Sequence, residues 1–114
     1  MEHNSRKYQY CIEACQRTAA LCQQCASACT RDENISKMAR CIQLTMECAA
    51  LCTATAQLLC MNSSMAMELC NLCEELCEQC CAECTACNSD ICRACAEACK
   101  RCAEECRQLA PVAA

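Results

Sequence analysis

Cysteine is the residue through which this sequence can do chemistry, and it occurs 21 times in 114 residues. Its spacing is regular. Near the C-terminus Cys92, Cys95, Cys99, Cys102 and Cys106 follow one another in steps of 3, 4, 3 and 4. Before them Cys70, Cys73, Cys77, Cys80, Cys84 and Cys87 step by 3, 4, 3, 4 and 3. Such steps are the a and d positions of a heptad, so each set runs along one face of a helix. The first part of the chain carries Cys11, Cys15, Cys22, Cys25 and Cys29 in a looser version, with Thr18 where a further stripe residue is expected. Cys41, Cys48, Cys52 and Cys60 form a sparser fourth set, with Thr45 and Thr55 at other stripe positions. Cys81 lies about 100° round the helix from Cys80 and belongs on the flank of its stripe.

Three chemistries suit so many thiols. Plain core packing is the first, since buried Cys behaves as a small hydrophobe, but Leu and Ile would fill the same space without the oxidation hazard. Disulfides are the second. An odd number cannot all pair within one chain, and neighbours at i,i+3 and i,i+4 on a helix meet the bond's narrow geometry poorly. Soft-metal binding is the third, and the same spacing favours it. A metal about 2.3 Å from each sulfur tolerates a longer sulfur–sulfur separation than a covalent bond does. Each C-x-x-C or C-x-x-x-C pair can then act as a two-thiolate clamp, and a facing helix can add a third sulfur.

Charge selects among the metals. One Cu(I) per thiolate leaves the core near neutral, whereas five four-thiolate Zn(II) sites would bury a charge of about −10. The stripes hold no Lys or Arg to offset it. Cu(I) also accepts two or three sulfurs and can tile a continuous stripe, while Zn(II) needs discrete tetrahedra that the even spacing does not mark out. Iron–sulfur clusters use looser four-cysteine groups. Thiolate softness points to Cu(I), many ions per chain.

The elements that must hold the stripes are helices. The sequence has no Gly and one Pro, Pro111, and strong helix formers fill the gaps between cysteines. Polar clusters at Arg31–Asn34, Asn62–Ser64 and Asn88–Asp90 break the run, and each offers a cap for the helix that follows. The predicted helices cover residues 5–31, 35–61, 64–87 and 90–108 of a single domain, 1–114, ending in a tail from 109. Loops this short force antiparallel neighbours, so the expected fold is all-α: an up-down-up-down four-helix bundle with a cysteine-lined core. Leu44, Leu51 and Leu58, every seventh residue, belong to a subunit interface or to interhelical packing.

Ten basic and fourteen acidic residues are interspersed, giving a net charge of −4. With only two aromatic residues and no basic block, no nucleic-acid footprint is present. No apolar run is long enough for a membrane span, and the polar first residues read as cytoplasmic. An enzyme finds no support: no histidine base lies within the helical region, and no cysteine is set apart as a nucleophile. His3, the only histidine, sits at the terminus and is expected to be silent. Rival readings are a copper chaperone, which needs one exposed site rather than a filled core, and a zinc- or cadmium-detoxifying thiol protein.

The chain resembles the cysteine-rich bacterial copper storage proteins, in particular their cytosolic branch. The likeness runs from Cys11-Ile-Glu-Ala-Cys15 to Cys106 and is most specific over Cys92-Arg-Ala-Cys95-Ala-Glu-Ala-Cys99-Lys-Arg-Cys102-Ala-Glu-Glu-Cys106. It implies a four-helix bundle, assembly as a homotetramer, many Cu(I) ions inside each bundle, loading through one end, and little backbone change on loading. Cytosolic members carry histidines near the open end, around the first and third loops. Here those segments hold none; Met38, Cys41, Cys87 and Cys92 would form a sulfur-only mouth. At the opposite end Met61, Met65 and Met67, with Tyr8 and Tyr10 nearby, are expected to cap the bundle with apolar side chains.

Overall fold

The structure is a computed structural model that describes residues 2–110, with side chains from Tyr8 onward. The side chain of His3 and the tail beyond Ala110 lie outside the described residues. Four helices follow in order: α1 Glu2–Thr30, α2 Ala39–Cys60, α3 Ala66–Ala86 and α4 Asp90–Leu109. A 3₁₀ turn, Ile35–Met38, precedes α2. Each helix packs against its two neighbours: α1 lies along α2 and α4, and α3 lies along α2 and α4, with both diagonals apart. The result is an antiparallel four-helix bundle of 50 × 26 × 19 Å. No helix among the described residues is long and apolar enough to cross a membrane.

The three turns differ in how they satisfy the helix ends. After α2 a chain without glycine still makes a tight reversal. Asn62 takes a left-handed φ of 56°, Ser63 N donates to Leu58 O at 3.0 Å, and Asn62 N donates to Leu59 O at 3.1 Å. That is the Schellman closure, with Asn standing in for the usual Gly. Before α4, Ser89 accepts a hydrogen bond from Cys92 N at 3.2 Å and caps the helix. The expected side-chain caps for α2 and α3 are absent. Their N-cap residues are Met38 and Met65, and the polar residues turn the loops instead. Asp32 Oδ1 accepts from Asn34 N at 2.7 Å and Ser63 Oγ accepts from Met65 N at 3.1 Å. The Asp32 bond, with Lys37 N donating to Asn34 O at 2.8 Å, produces the 3₁₀ turn where residues 35–38 were expected to be α-helix.

Two layers fill the bundle. The axis is sulfur: all the cysteines are free, and all are buried except half-buried Cys81 and Cys87 and exposed Cys60. Around the axis, Ile12, Ala19, Leu44, Ala49, Ala56 and Ala96 close the seams between helices. Leu44 is buried, and Leu51 and Leu58 are half-buried against the same core, so the seven-residue leucine repeat packs within the chain and leaves part of Leu51 and Leu58 at the surface. Outside, Arg107 ties α4 to α3 through Glu74 and Glu78, both at 2.7 Å, and Arg40 joins α2 to α3 through Glu83 at 3.4 Å.

Thr18, Thr45 and Thr55 are fully buried in the stripe positions read from the sequence. Each hydroxyl finds a carbonyl, as a buried donor must. Thr18 Oγ1 donates across to Ala98 O on α4 at 3.0 Å, Thr45 donates to Cys41 O at 2.7 Å, and Thr55 to Leu51 O at 2.7 Å.

Candidate metal centre

The heptad steps bring sulfurs from all four helices to one line, and the axis becomes a chain of touching thiols. From α1 to α4 the pairs are Cys11–Cys106 at 3.7 Å, Cys15–Cys102 at 3.6 Å, Cys22–Cys95 at 3.6 Å and Cys25–Cys92 at 3.5 Å. From α2 to α3 they are Cys48–Cys77 and Cys52–Cys73, both at 3.6 Å, and Cys41–Cys84 at 4.0 Å. Cys29 lies 3.9 Å from Cys41 and Cys80 3.9 Å from Cys84. These separations far exceed the ~2.05 Å of a disulfide and suit two sulfurs sharing a metal.

The sulfurs also gather into compact sets whose members all lie within 4.8 Å of one another. Three are quartets: Cys15, Cys52, Cys73 and Cys102; Cys22, Cys48, Cys80 and Cys99; and Cys25, Cys29, Cys41 and Cys92. Even spacing along each helix hid this grouping, because it arises only when four registers meet. Cys11 with Cys15 and Cys106, and Cys25 with Cys84 and Cys95, form triads. Cys70 is fully buried in the same core.

The expectation that Cys60 lines the core is not met. Leu59 occupies the axis position seven residues after Cys52, so Cys60 is turned about 80° away and its side chain is exposed. It faces a surface groove beside Gln16, Ala20 and Gln57. Cys81 packs against the core from the flank, with its sulfur 4.0 Å from Thr85 Oγ1.

At the end formed by the first and third loops, a hollow of about 130 Å³ is lined by Cys29, Asp32, Met38, Cys87, Asn88 and Cys92, among others. Cys41 lies deeper, fully buried beneath this rim. Asp32, Asn88 and Ser89 add oxygen donors that the sequence reading assigned only to helix caps; they share this end because the topology is antiparallel. At the other end the methionines do not cap the bundle together. Met61 and Met65 are 59 % and 48 % exposed, because they flank the turn as the C-cap of α2 and the N-cap of α3. Tyr10 is exposed too, and the closure is made by buried Leu59, Ala66 and Ala110 with half-buried Tyr8, Met67 and Leu109.

The thiols at the mouth and several deeper ones hold their protons. Burial pushes the Cys29 and Cys41 thiols up and raises Cys87 to about 11. Deeper in, Cys22 is pushed up by its hydrogen bonds to Cys48, Cys80, Cys95 and Cys99 and by burial. Cys52 is raised in the same way by Cys102, Cys15, Cys48 and Cys73. Desolvation disfavours the thiolate, so a cation entering this axis must displace protons.

A helical bundle whose axis is a continuous file of contacting thiols is, as a class, a soft-metal-binding bundle. Comparison with known proteins narrows the class. The sequence pattern of the copper storage proteins matches residues 4–111, and the chain belongs to that family. A cytosolic copper storage protein from Streptomyces lividans carrying five coppers superposes with a TM-score of 0.93 at 32 % identity, over 100 % of both chains. The Cu(I)-bound copper storage protein BsCsp3 gives a TM-score of 0.87 at 36 % identity, over 91 % of this chain and 98 % of that one. Apo-Csp3 from Bacillus subtilis gives 0.85 at 37 % identity, over 90 % and 97 %. No curated protein sequence matches the chain.

Proposed function

We propose that this chain stores Cu(I) at high capacity, on the order of one ion per core cysteine, with the ions held by thiolates along the bundle axis. The file of sulfurs 3.5–4.0 Å apart carries this reading. One Cu(I) replaces one thiol proton, so each added ion leaves the buried charge unchanged. The core can therefore fill without accumulating charge. The ligands are Cys11, Cys15, Cys22, Cys25, Cys29, Cys41, Cys48, Cys52, Cys70, Cys73, Cys77, Cys80, Cys84, Cys92, Cys95, Cys99, Cys102 and Cys106, with half-buried Cys81 and Cys87 as peripheral donors.

Loading proceeds through the hollow between the first and third loops. Met38 offers a thioether, Cys87 and Cys92 offer thiols, and Asp32 supplies negative charge for an arriving cation. The chain's fold is about equally close to the Cu(I)-bound and the apo Bacillus-type structures, which supports loading with little backbone change. Storage is non-enzymatic and cytoplasmic, and the working assembly is a homotetramer.

Anaerobic titration of the fully reduced protein with Cu(I), against a competing Cu(I) chelator, tests the reading. Uptake of roughly fifteen to twenty ions per chain is expected from the charge-neutral exchange. Saturation at one to four ions would replace storage with a chaperone's single transfer site.

A further inference from the structure

Two of the three quartets draw one sulfur from each helix. Cys15, Cys52, Cys73 and Cys102 form one, Cys22, Cys48, Cys80 and Cys99 the other, and they share no member. Tetrahedral coordination with metal–sulfur bonds near 2.3 Å requires sulfur–sulfur edges of about 3.8 Å. In the first quartet Cys15–Cys102 is 3.6 Å, Cys52–Cys73 is 3.6 Å and Cys52–Cys102 is 4.0 Å. The second quartet lies within the same 4.8 Å limit. The first quartet thus already has tetrahedral edges, and the second needs to contract by no more than about 1 Å to reach them.

We propose that these two quartets are tetrathiolate sites for a divalent d¹⁰ cation, of the zinc and cadmium class, taken up when the bundle is free of Cu(I). This goes beyond copper storage and does not depend on it. Each ion forms four metal–sulfur bonds and releases four thiol protons to solvent, leaving a cluster of charge −2. Such a charge is tolerable only with donors around it, and the bundle supplies them. Cys77 belongs to neither quartet and lies between them, 3.6 Å from Cys48, 3.8 Å from Cys52 and 3.9 Å from Cys73. Its S–H can donate to a thiolate on either side. Cys95 stands 3.6 Å from Cys22, and Cys84 stands 3.9 Å from Cys80. Hydrogen bonds to ionised sulfur are the stronger kind.

The same argument limits the number of divalent ions. Every further site would turn thiol donors into thiolates, adding −2 and removing the groups that offset it. Divalent occupancy stops at a few ions, whereas Cu(I) exchange is neutral and continues along the whole file. Thiolates favour the softer ion, so Cu(I) displaces the divalent cation as the bundle loads.

Co(II) is the probe, because a tetrahedral four-sulfur environment gives it intense visible absorption. The full reduced chain, titrated anaerobically, is expected to develop that spectrum and saturate at two equivalents. A third equivalent, lost in Cys41→Ser, would extend the same geometry to the quartet at the mouth. Zn(II) should then bleach the spectrum. Cys73→Ser and Cys80→Ser should each remove one equivalent, with Cys73→Ala and Cys80→Ala as size-matched checks and helicity followed by circular dichroism. Cys77→Ser, equally buried but outside both quartets, should retain both cobalt equivalents while binding them more weakly. Absence of the tetrahedral spectrum at excess Co(II), or loss of a full equivalent in Cys77→Ser, would overturn the proposal. Cu(I) uptake measured on the same preparations keeps the two readings separate: full copper capacity without cobalt binding removes the divalent sites and leaves storage standing.

Discussion

Thr18 offers a direct test of whether position on the axis determines capacity. It stands between Cys15 and Cys22 in the α1 stripe, is fully buried, and donates to Ala98 O across the seam to α4 at 3.0 Å. Thr18→Cys nearly conserves volume and places a sulfur in the gap of the file. The loss is one interhelical hydrogen bond. Ala98 lies inside α4, so its carbonyl retains its intrahelical partner and no buried acceptor is orphaned. The cost is therefore that of a single bond, about 0.5–1.5 kcal/mol. For a domain of this size that lowers the melting temperature by about 2–6 °C. Cu(I) titration against a chelator should show one additional ion per chain, and thermal melting of the reduced apo protein should show the drop. Thr53→Cys is the control: Thr53 is exposed, donates to Ala49 O at 2.8 Å within its own helix, and has no cysteine three or four residues away. Its capacity should match the unaltered chain. If Thr18→Cys gains no ion, or Thr53→Cys gains as much, placement on the axis does not govern storage and the charge-neutral exchange argument fails.

Cys60→Ser should leave Cu(I) capacity unchanged and shift stability by less than about 0.5 kcal/mol, since the thiol is exposed and faces away from the axis; loss of an ion in the same titration would put Cys60 back among the ligands. Met38→Leu should slow stopped-flow uptake of Cu(I) without altering the final number bound, because only the rim of the hollow changes; equal rates would remove the thioether from the loading path. For pH, burial raises the Cys29, Cys41 and Cys87 thiols, so above 9.0 these groups hold protons in the folded bundle that an unfolded chain loses; the unfolded state binds fewer protons, and stability falls as pH rises toward the raised value of about 11 at Cys87. Denaturant melts of reduced apo protein at pH 8 and pH 10.5 should show this decline, and a flat or rising profile would contradict the burial-raised thiols. The reduced apo chain should be strongly helical by far-ultraviolet circular dichroism, and a coil spectrum would mean that the metal supplies the folding energy.

The heptad steps carried the architecture because periodicity is a property of one helix at a time. Steps of 3 and 4 require one face, and four such faces with short loops require a shared axis, so the bundle, its cysteine core and the buried Thr18, Thr45 and Thr55 were all readable from spacing. What was not readable depends on register between helices. The quartets need Cys52 of α2 at the height of Cys15, Cys73 and Cys102, and no single stripe encodes that. Cys60 failed for a related reason. Two residues, Leu59 and Cys60, compete for the last axis position of α2, and the larger apolar side chain takes it. The caps of α2 and α3 were missed because Asp32 and Ser63 can bond within their own loops as readily as to a helix end. Met61 and Met65 were misplaced because a turn of three residues, Asn62–Ser64, leaves both flanking side chains outside the bundle.

The division of labour between the two layers explains why a core of thiols can be both stable and chemically available. A cysteine buries little apolar area, so the axis alone contributes modestly to folding at about 25 cal/mol per Å². The aliphatic side chains supply the remainder: Ile12 and Leu44 are buried in the seams, Leu59 ends the α2 stripe, and Leu21, Leu51, Leu58, Leu76 and Leu109 pack half-buried against the core. These aliphatic contacts, the Schellman turn at Asn62 and the Arg107 ties to Glu74 and Glu78 involve no core sulfur. Helix position is therefore set by groups that copper does not touch. The sulfurs, held 3.5–4.0 Å apart by that frame, already sit at the spacing that shared Cu(I) ions need. On the proposed function, loading exchanges protons for metal within this frame, and copper-loaded protein should match the helicity of the reduced apo chain by circular dichroism.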